Sequence, residues 1–167
     1  MGNTSNIILI GMPGCGKSTV GKALAAKLKY GFIDSDTVIE ENCGKKLHEI
    51  LFESGQDGFL EIENFINATL NAHNKVIATG GSAVYGNEAM DNFSQIGDII
   101  YLKLSFKEIS NRLGDLETRG VVLKAGHTLE DIYAKREPLY EKYAQITIDC
   151  ENKSVHEIVR EICEKII

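Results

Sequence analysis

Two hydrophobic patterns alternate along this chain: short unbroken apolar runs, and longer stretches in which apolar residues return every three or four positions. After its first residue the run Asn6-Ile-Ile-Leu-Ile10 is wholly apolar and it ends in glycine-rich punctuation, which predicts a strand buried on both faces. From Lys17 to Lys29 the apolar positions Val20, Ala23, Leu24, Ala25 and Leu28 recur at helical spacing, with Lys22, Lys27 and Lys29 turned outward. The alternation continues with a strand around Phe32-Ile33, helices over about 37–53 and 58–72, a strand at Val76-Ile-Ala78 and a helix near 88–93. A fourth strand, Ile99-Ile-Tyr-Leu102, precedes helices at 106–113 and 129–143. A fifth, Ile146-Thr-Ile148, precedes a last amphipathic helix over 155–166, with Ser154 as its cap. Five buried strands separated by helices predict an α/β protein whose parallel sheet is covered on both faces, with ligands bound at the carboxyl ends of the strands. The least patterned stretch, 114–126, contains Gly114, Gly120, Gly126, Arg119 and Lys124 and is expected to be a mobile loop.

Composition narrows the function classes. A length of 167 residues suits one domain with a real core. The formal net charge of −6, without any basic cluster, argues against a protein built to grip nucleic acid or an anionic membrane, so an anionic ligand must be held by a few local cations. Among the basic residues only Arg112, Arg119, Arg136 and Arg160 are arginines. No apolar run approaches the roughly 20 residues that span a bilayer and the start lacks the pattern of a signal peptide, so a soluble cytoplasmic protein is expected. Cys15, Cys43, Cys150 and Cys163 show no zinc or dithiol spacing, and reduced thiols are expected. His48, His73, His127 and His156 lack metal-ligand spacing as well and read as surface residues.

The candidate chemistry begins at Gly11-Met-Pro-Gly-Cys-Gly-Lys17-Ser18, a full match to G-x-x-x-x-G-K-[ST] placed between a buried strand and a helix. In that pattern backbone N–H groups curl around a triphosphate, Lys17 reaches the β- and γ-phosphates, and the Ser18 hydroxyl can bind Mg²⁺. ATP as co-substrate and Mg²⁺ as cofactor are implied, with Gly11, Gly14, Cys15, Gly16, Lys17, Ser18 and Thr19 as the nucleotide-binding loop. Asp34-Ser35-Asp36 ends the second predicted strand on the same sheet edge; two carboxylates at i and i+2 can divide their work between metal and substrate hydroxyl, although Asp and Ser are also ordinary cap residues. Thr79-Gly80-Gly81-Ser82 ends the third strand, where glycines leave room and bare N–H groups for a small ligand.

Together with Arg119 and Arg136-Glu-Pro-Leu-Tyr140, these segments stand in an order and spacing that resembles the shikimate kinase family over essentially the whole chain. The resemblance implies a three-layer α/β/α phosphate-loop fold with five parallel strands in the order 2-3-1-4-5, and transfer of the ATP γ-phosphate to the 3-hydroxyl of shikimate. It also implies one kinase domain over 1–167, a substrate-binding helical region at about 36–72 and a lid at about 114–126. By that likeness Asp34 supports Mg²⁺ and Asp36 holds the accepting hydroxyl. Gly80 and Gly81 face the substrate, and Arg136 binds its carboxylate. Arg112 lies over the adenine, and Arg119 closes onto the transferring phosphate. A small-molecule acceptor and a monomeric enzyme are expected.

The chain departs from the family pattern at Phe59-Leu60-Glu61-Ile62-Glu63, where family members usually carry an arginine after the phenylalanine. Leu60 takes that position, and Glu61 is expected to bring a negative charge near the substrate carboxylate. Ser82 replaces a third glycine, and Gly120 follows the lid arginine in place of proline. Three readings stand open: Arg136 suffices, a neighbouring lysine compensates, or the pocket serves another small hydroxyl compound. From a different class, a nucleotide-dependent regulatory switch is disfavoured by the lack of a separate binding domain. A nucleoside monophosphate kinase is disfavoured by Asp36, which would repel a phosphate.

Overall fold

The N-terminal apolar run forms the centre of the sheet. In the computed structural model, which describes residues 5–114 and 127–166, strand β1 (Asn6–Ile10) is flanked in parallel by β3 (Lys75–Ala78) and β4 (Gly97–Lys103), with Ile8 opposite both Ile77 and Ile99. Strand β2 (Gly31–Asp34) lies outside β3 and β5 (Ile146–Asp149) outside β4, giving the order 2-3-1-4-5 with every pairing parallel. All five residues of β1 are buried; because neighbouring side chains of a strand point to opposite faces, both faces of the sheet are covered. The expectation of five buried strands holds only for the middle three. All of β2 is half-buried and only Ile148 of β5 is fully enclosed, because an edge strand has one neighbour and incomplete helical cover.

Asn6 opens β1 at a buried position and binds three segments together. Its amide donates to the carbonyls of Ala72 and Ile96 (2.7 and 2.8 Å), and its Oδ1 accepts from the Lys75 amide (2.9 Å). Helix α1 (Lys17–Leu28) packs on β1 and β3, beside the last helix, α7 (Val155–Lys165). Between them in the chain lie α2 (Ser35–Cys43), α3 (Leu47–Thr69), α4 (Asn87–Ile96), α5 (Phe106–Leu113) and α6 (Leu129–Tyr143), with a 3₁₀ turn at Ala83–Tyr85. Ser105, Thr128 and Ser154 cap α5, α6 and α7, each side chain accepting an amide from the first turn, which is why these helices begin where the sequence predicts.

The helices after β2 differ from expectation. Asp34 caps α2, so the helix starts at Ser35, and Gly44 ends it in the left-handed conformation (φ 66°). What the periodicity predicts as two helices, over 37–53 and 58–72, is divided at 44–46 instead, and α3 then continues to Thr69 with a kink at Gly55. Ile39, Ile50, Phe59 and Ile66 form a small core of their own between α2 and α3, separate from the main one. That core fixes the helical wall facing the carboxyl ends of the strands.

Candidate active site

A cavity of about 290 Å³ opens at those carboxyl ends, running from the phosphate loop to Arg136. The loop supplies one end. Gly16 holds φ at 100°, a conformation that admits the sharp entry into α1, and Lys17 is the first residue of that helix. The Lys17 ammonium is almost enclosed and donates to the carbonyls of Gly11 (2.6 Å) and Met12 (2.9 Å), which keeps the charge at the loop's centre. Gly14, Gly16, Ser18 and Thr19 line the cavity, whereas Gly11 and Cys15 are buried in the loop's support, with the Cys15 sulfur 3.8 Å from the ammonium. Arg112 reaches the loop from α5, donating to the Gly14 carbonyl (3.3 Å) while its Nε pairs with Glu108 (3.0 Å). It therefore stands beside the loop rather than in the cavity.

The opposite wall is acidic. Asp34 is the helix cap, its Oδ1 accepting from the Asp36 amide (2.9 Å), and its Oδ2 accepts from the Ser18 hydroxyl (3.4 Å). Ser35, fully buried, accepts from the Gly80 amide (3.3 Å) and ties the turn after β3 to the start of α2. A Cβ on Gly80 would lie 2.7 Å from Asp36 Oδ1 and 3.1 Å from Glu63 Oε2, so the two carboxylates converge on a position that only glycine leaves open. Burial, then the neighbouring Asp34, raises the Asp36 carboxyl to about 6, against the opposing pull of Lys17. Glu63, only 2% exposed, is raised to about 7, chiefly by burial and further by Asp36, while the Ser82 hydroxyl bond and Arg136 act in the other direction.

Arg136 closes the far end. It is buried, its Nε donates to the Tyr85 hydroxyl (3.2 Å), and a Cβ on Gly81 would lie 2.9 Å from its Nη1. Tyr140, one helical turn on, donates to the Gly81 carbonyl (2.7 Å) and lies near the Met12 sulfur (3.8 Å), linking α6, the glycine turn and the phosphate loop. Phe59 and Leu47 give the cavity an apolar side.

Lys17, Ser18, Asp34, Asp36, Gly80, Gly81 and Arg136 thus meet in one cavity, while Arg119 and the stretch 115–126 lie outside the described residues. Glu63 ends the segment Phe59–Glu63 but is given no site role by the motif reading. Its sequence signal is an acid on the buried face of an amphipathic helix, four residues after Phe59 and three before Ile66. Ser82, read as a lost glycine, donates to Glu63 Oε1 (2.7 Å) and holds that carboxylate in place. Glu61 corrects an expectation: it is exposed and lines a surface hollow with Asn42 and Phe65, because residues two apart on a helix point about 200° apart and Glu63 is the one turned inward. All four histidines are exposed, as expected.

Ser18 and Asp34 offer two hard oxygen donors at the cavity mouth, and no group of three His, Cys, Asp or Glu is arranged for a metal among the described residues. That set suits Mg²⁺, which commonly takes one or two protein oxygens beside phosphate and water. A phosphate loop and an acceptor cavity sharing one sheet edge, with a carboxylate between them, define a phosphotransferase that acts on an alcohol group. Residues 13–167 match the family described as shikimate kinase. A shikimate kinase from Francisella tularensis subsp. novicida is 38% identical over 164 residues, covering 95% of this chain and 93% of the relative. Among solved structures, a shikimate kinase from Acinetobacter baumannii in complex with shikimate superposes with a TM-score of 0.89 at 29% identity, covering 98% of this chain and 93% of the other. The shikimate kinase from Aquifex aeolicus gives 0.82 at 27%, with 96% and 95% covered. The chain belongs to the shikimate kinase family.

Proposed function

We propose that the protein transfers the γ-phosphate of ATP to the 3-hydroxyl of shikimate. The observation that carries this reading is the single cavity with Lys17 at one end, buried Arg136 at the other and Asp36 between them, which can hold a phosphate donor and a small carboxylate-bearing alcohol at once. The apolar side given by Phe59 and Leu47 suits the carbon ring of such an acceptor.

In the mechanism, the phosphate loop binds the triphosphate through its N–H groups, and the Lys17 ammonium exchanges its loop carbonyls for phosphate oxygens. Ser18 and Asp34 would hold Mg²⁺, which when bound would supply neutralisation of phosphate charge. Asp36 accepts a hydrogen bond from the acceptor hydroxyl and takes its proton as the new O–P bond forms and the bond to the ADP oxygen breaks. A carboxyl near 6 is closer to the operating pH than an ordinary aspartate and is a better base for that reason. Arg136 fixes the substrate carboxylate, which sets the ring's orientation and so selects one hydroxyl. Arg112 would lie against the adenine, and Arg119, outside the described residues, would join the transferring phosphate from the lid. The helical segment 36–72 forms the acceptor's side of a single kinase domain. A monomer in the cytoplasm is part of this reading; the acidic balance supports a protein that grips neither nucleic acid nor an anionic membrane, and no described helix is long and apolar enough to cross a bilayer.

The test is a coupled assay of ADP release with shikimate beside small polyols, hydroxy acids and amino alcohols. Shikimate-dependent turnover is expected; turnover on another acceptor with none on shikimate refutes the proposal.

A further inference from the structure

Leu60 leaves an anionic acceptor with one cation fewer than the family pattern supplies, and the structure shows where another stands. Beside the main cavity lies a smaller pocket of about 60 Å³, and Arg136 lines both. Leu60 and Lys135 line only the smaller one. Adjacent residues of a helix point about 100° apart, so Lys135 would ordinarily face away from its neighbour. Both nevertheless engage the ring of Tyr85 at the smaller pocket: the Lys135 ammonium lies 5.2 Å from its centroid and the Arg136 guanidinium 5.3 Å. The Tyr85 hydroxyl accepts from Arg136 Nε, so this ring positions the buried cation and carries the exposed one. Asp131, the acid of that pocket, completes the capping box of α6, its Oδ2 accepting from the Thr128 amide (2.9 Å).

Charge balance gives Lys135 a purpose. The main cavity sets Asp34, Asp36 and Glu63 against Lys17 and Arg136, and Lys17 serves the nucleotide. A substrate carboxylate entering this space needs more than Arg136 alone. We propose that Lys135 is a second carboxylate-binding residue, delivered from α6 across Tyr85 and serving in place of a cation at position 60 on α3. Substrate carboxylate then bridges the Arg136 guanidinium and the Lys135 ammonium, while Leu60 gives the pocket an apolar floor. This assignment rests on shikimate being the acceptor.

Steady-state kinetics of the full chain test it, with Lys135→Met, Lys135→Arg and the double variant Leu60→Arg/Lys135→Met. Losing one charge-assisted contact that is partly open to solvent should raise KM for shikimate roughly tenfold in Lys135→Met. KM for ATP and kcat at saturating shikimate should stay within about twofold, since the contact orients bound acceptor and does not touch the transferring phosphate. Lys135→Arg should keep the wild-type KM, and Leu60→Arg/Lys135→Met should recover it. The methyl ester of shikimate supplies a readout that a merely structural role would not move: it should bind wild type and Lys135→Met equally poorly. An unchanged KM for shikimate in Lys135→Met, or an equal rise for ATP, overturns the assignment. Wild-type protein inert toward shikimate overturns the proposed function first, and this assignment with it.

Discussion

Glu63→Gln isolates the energetic cost of the acidic wall. In the fold this carboxyl titrates at about 7, against 4.5 in an unfolded chain, mainly because burial disfavours its charge. The folded state therefore binds the proton more tightly, and stability must fall as pH rises between those two values. The whole interval corresponds to a loss on the order of 3 kcal/mol at pH 8 relative to acid conditions. For a chain of this length that is a drop in Tm of about 6–12 °C. Glutamine keeps the shape and an oxygen for the Ser82 hydroxyl while removing the titration. Thermal unfolding of both proteins from pH 5 to pH 8 should give similar Tm values at pH 5, with the variant increasingly the more stable as pH approaches 8. Asp36, raised to about 6, adds a slope of the same sign to both proteins and so leaves the difference between them to Glu63. Parallel profiles across that range would refute an enclosed, proton-holding Glu63.

Four other perturbations probe the cavity. Lys17→Ala should abolish ADP release while leaving Tm within a few degrees, because the ammonium's partners are loop carbonyls that nucleotide otherwise supplants. Asp36→Asn should lower kcat at least about tenfold with a smaller change in KM for ATP, as read by steady-state kinetics. Gly80→Ala places a methyl 2.7 Å from Asp36 Oδ1 and should raise KM for shikimate at least about tenfold, with nucleotide affinity, measured by calorimetry, little changed. Tyr140→Phe leaves the Gly81 carbonyl without its 2.7 Å partner and should cost about 1–3 kcal/mol in denaturant unfolding.

The features legible in the sequence are those written locally. β1, β3 and β4 announce themselves as short apolar runs, and α5, α6 and α7 begin at Ser105, Thr128 and Ser154 because a cap needs only residues within one turn. The phosphate loop is legible for the same reason: eight consecutive residues carry its chemistry. Around 34–58 the local signals mislead. Gly44 looks like a helix interior until its left-handed conformation is seen, and the break expected near residue 54 is only a kink within α3. Glu63 and Tyr85 are site residues by virtue of partners far away in sequence, Ser82 and Arg136, which no window along the chain brings together. Glu61 shows the converse error, in which nearness in sequence stood in for nearness in space.

The three carboxylates of the acceptor wall also govern the departure of product. Shikimate enters with one negative charge and leaves carrying a phosphate whose charge, about −1.5 to −2 near neutral pH, appears next to Asp36 and within reach of Glu63. At pH above their elevated titration points both groups are ionised as well. The wall that weakens the fold at alkaline pH would therefore also oppose the charge that the product gains, so that raising the pH should loosen the product more than the substrate.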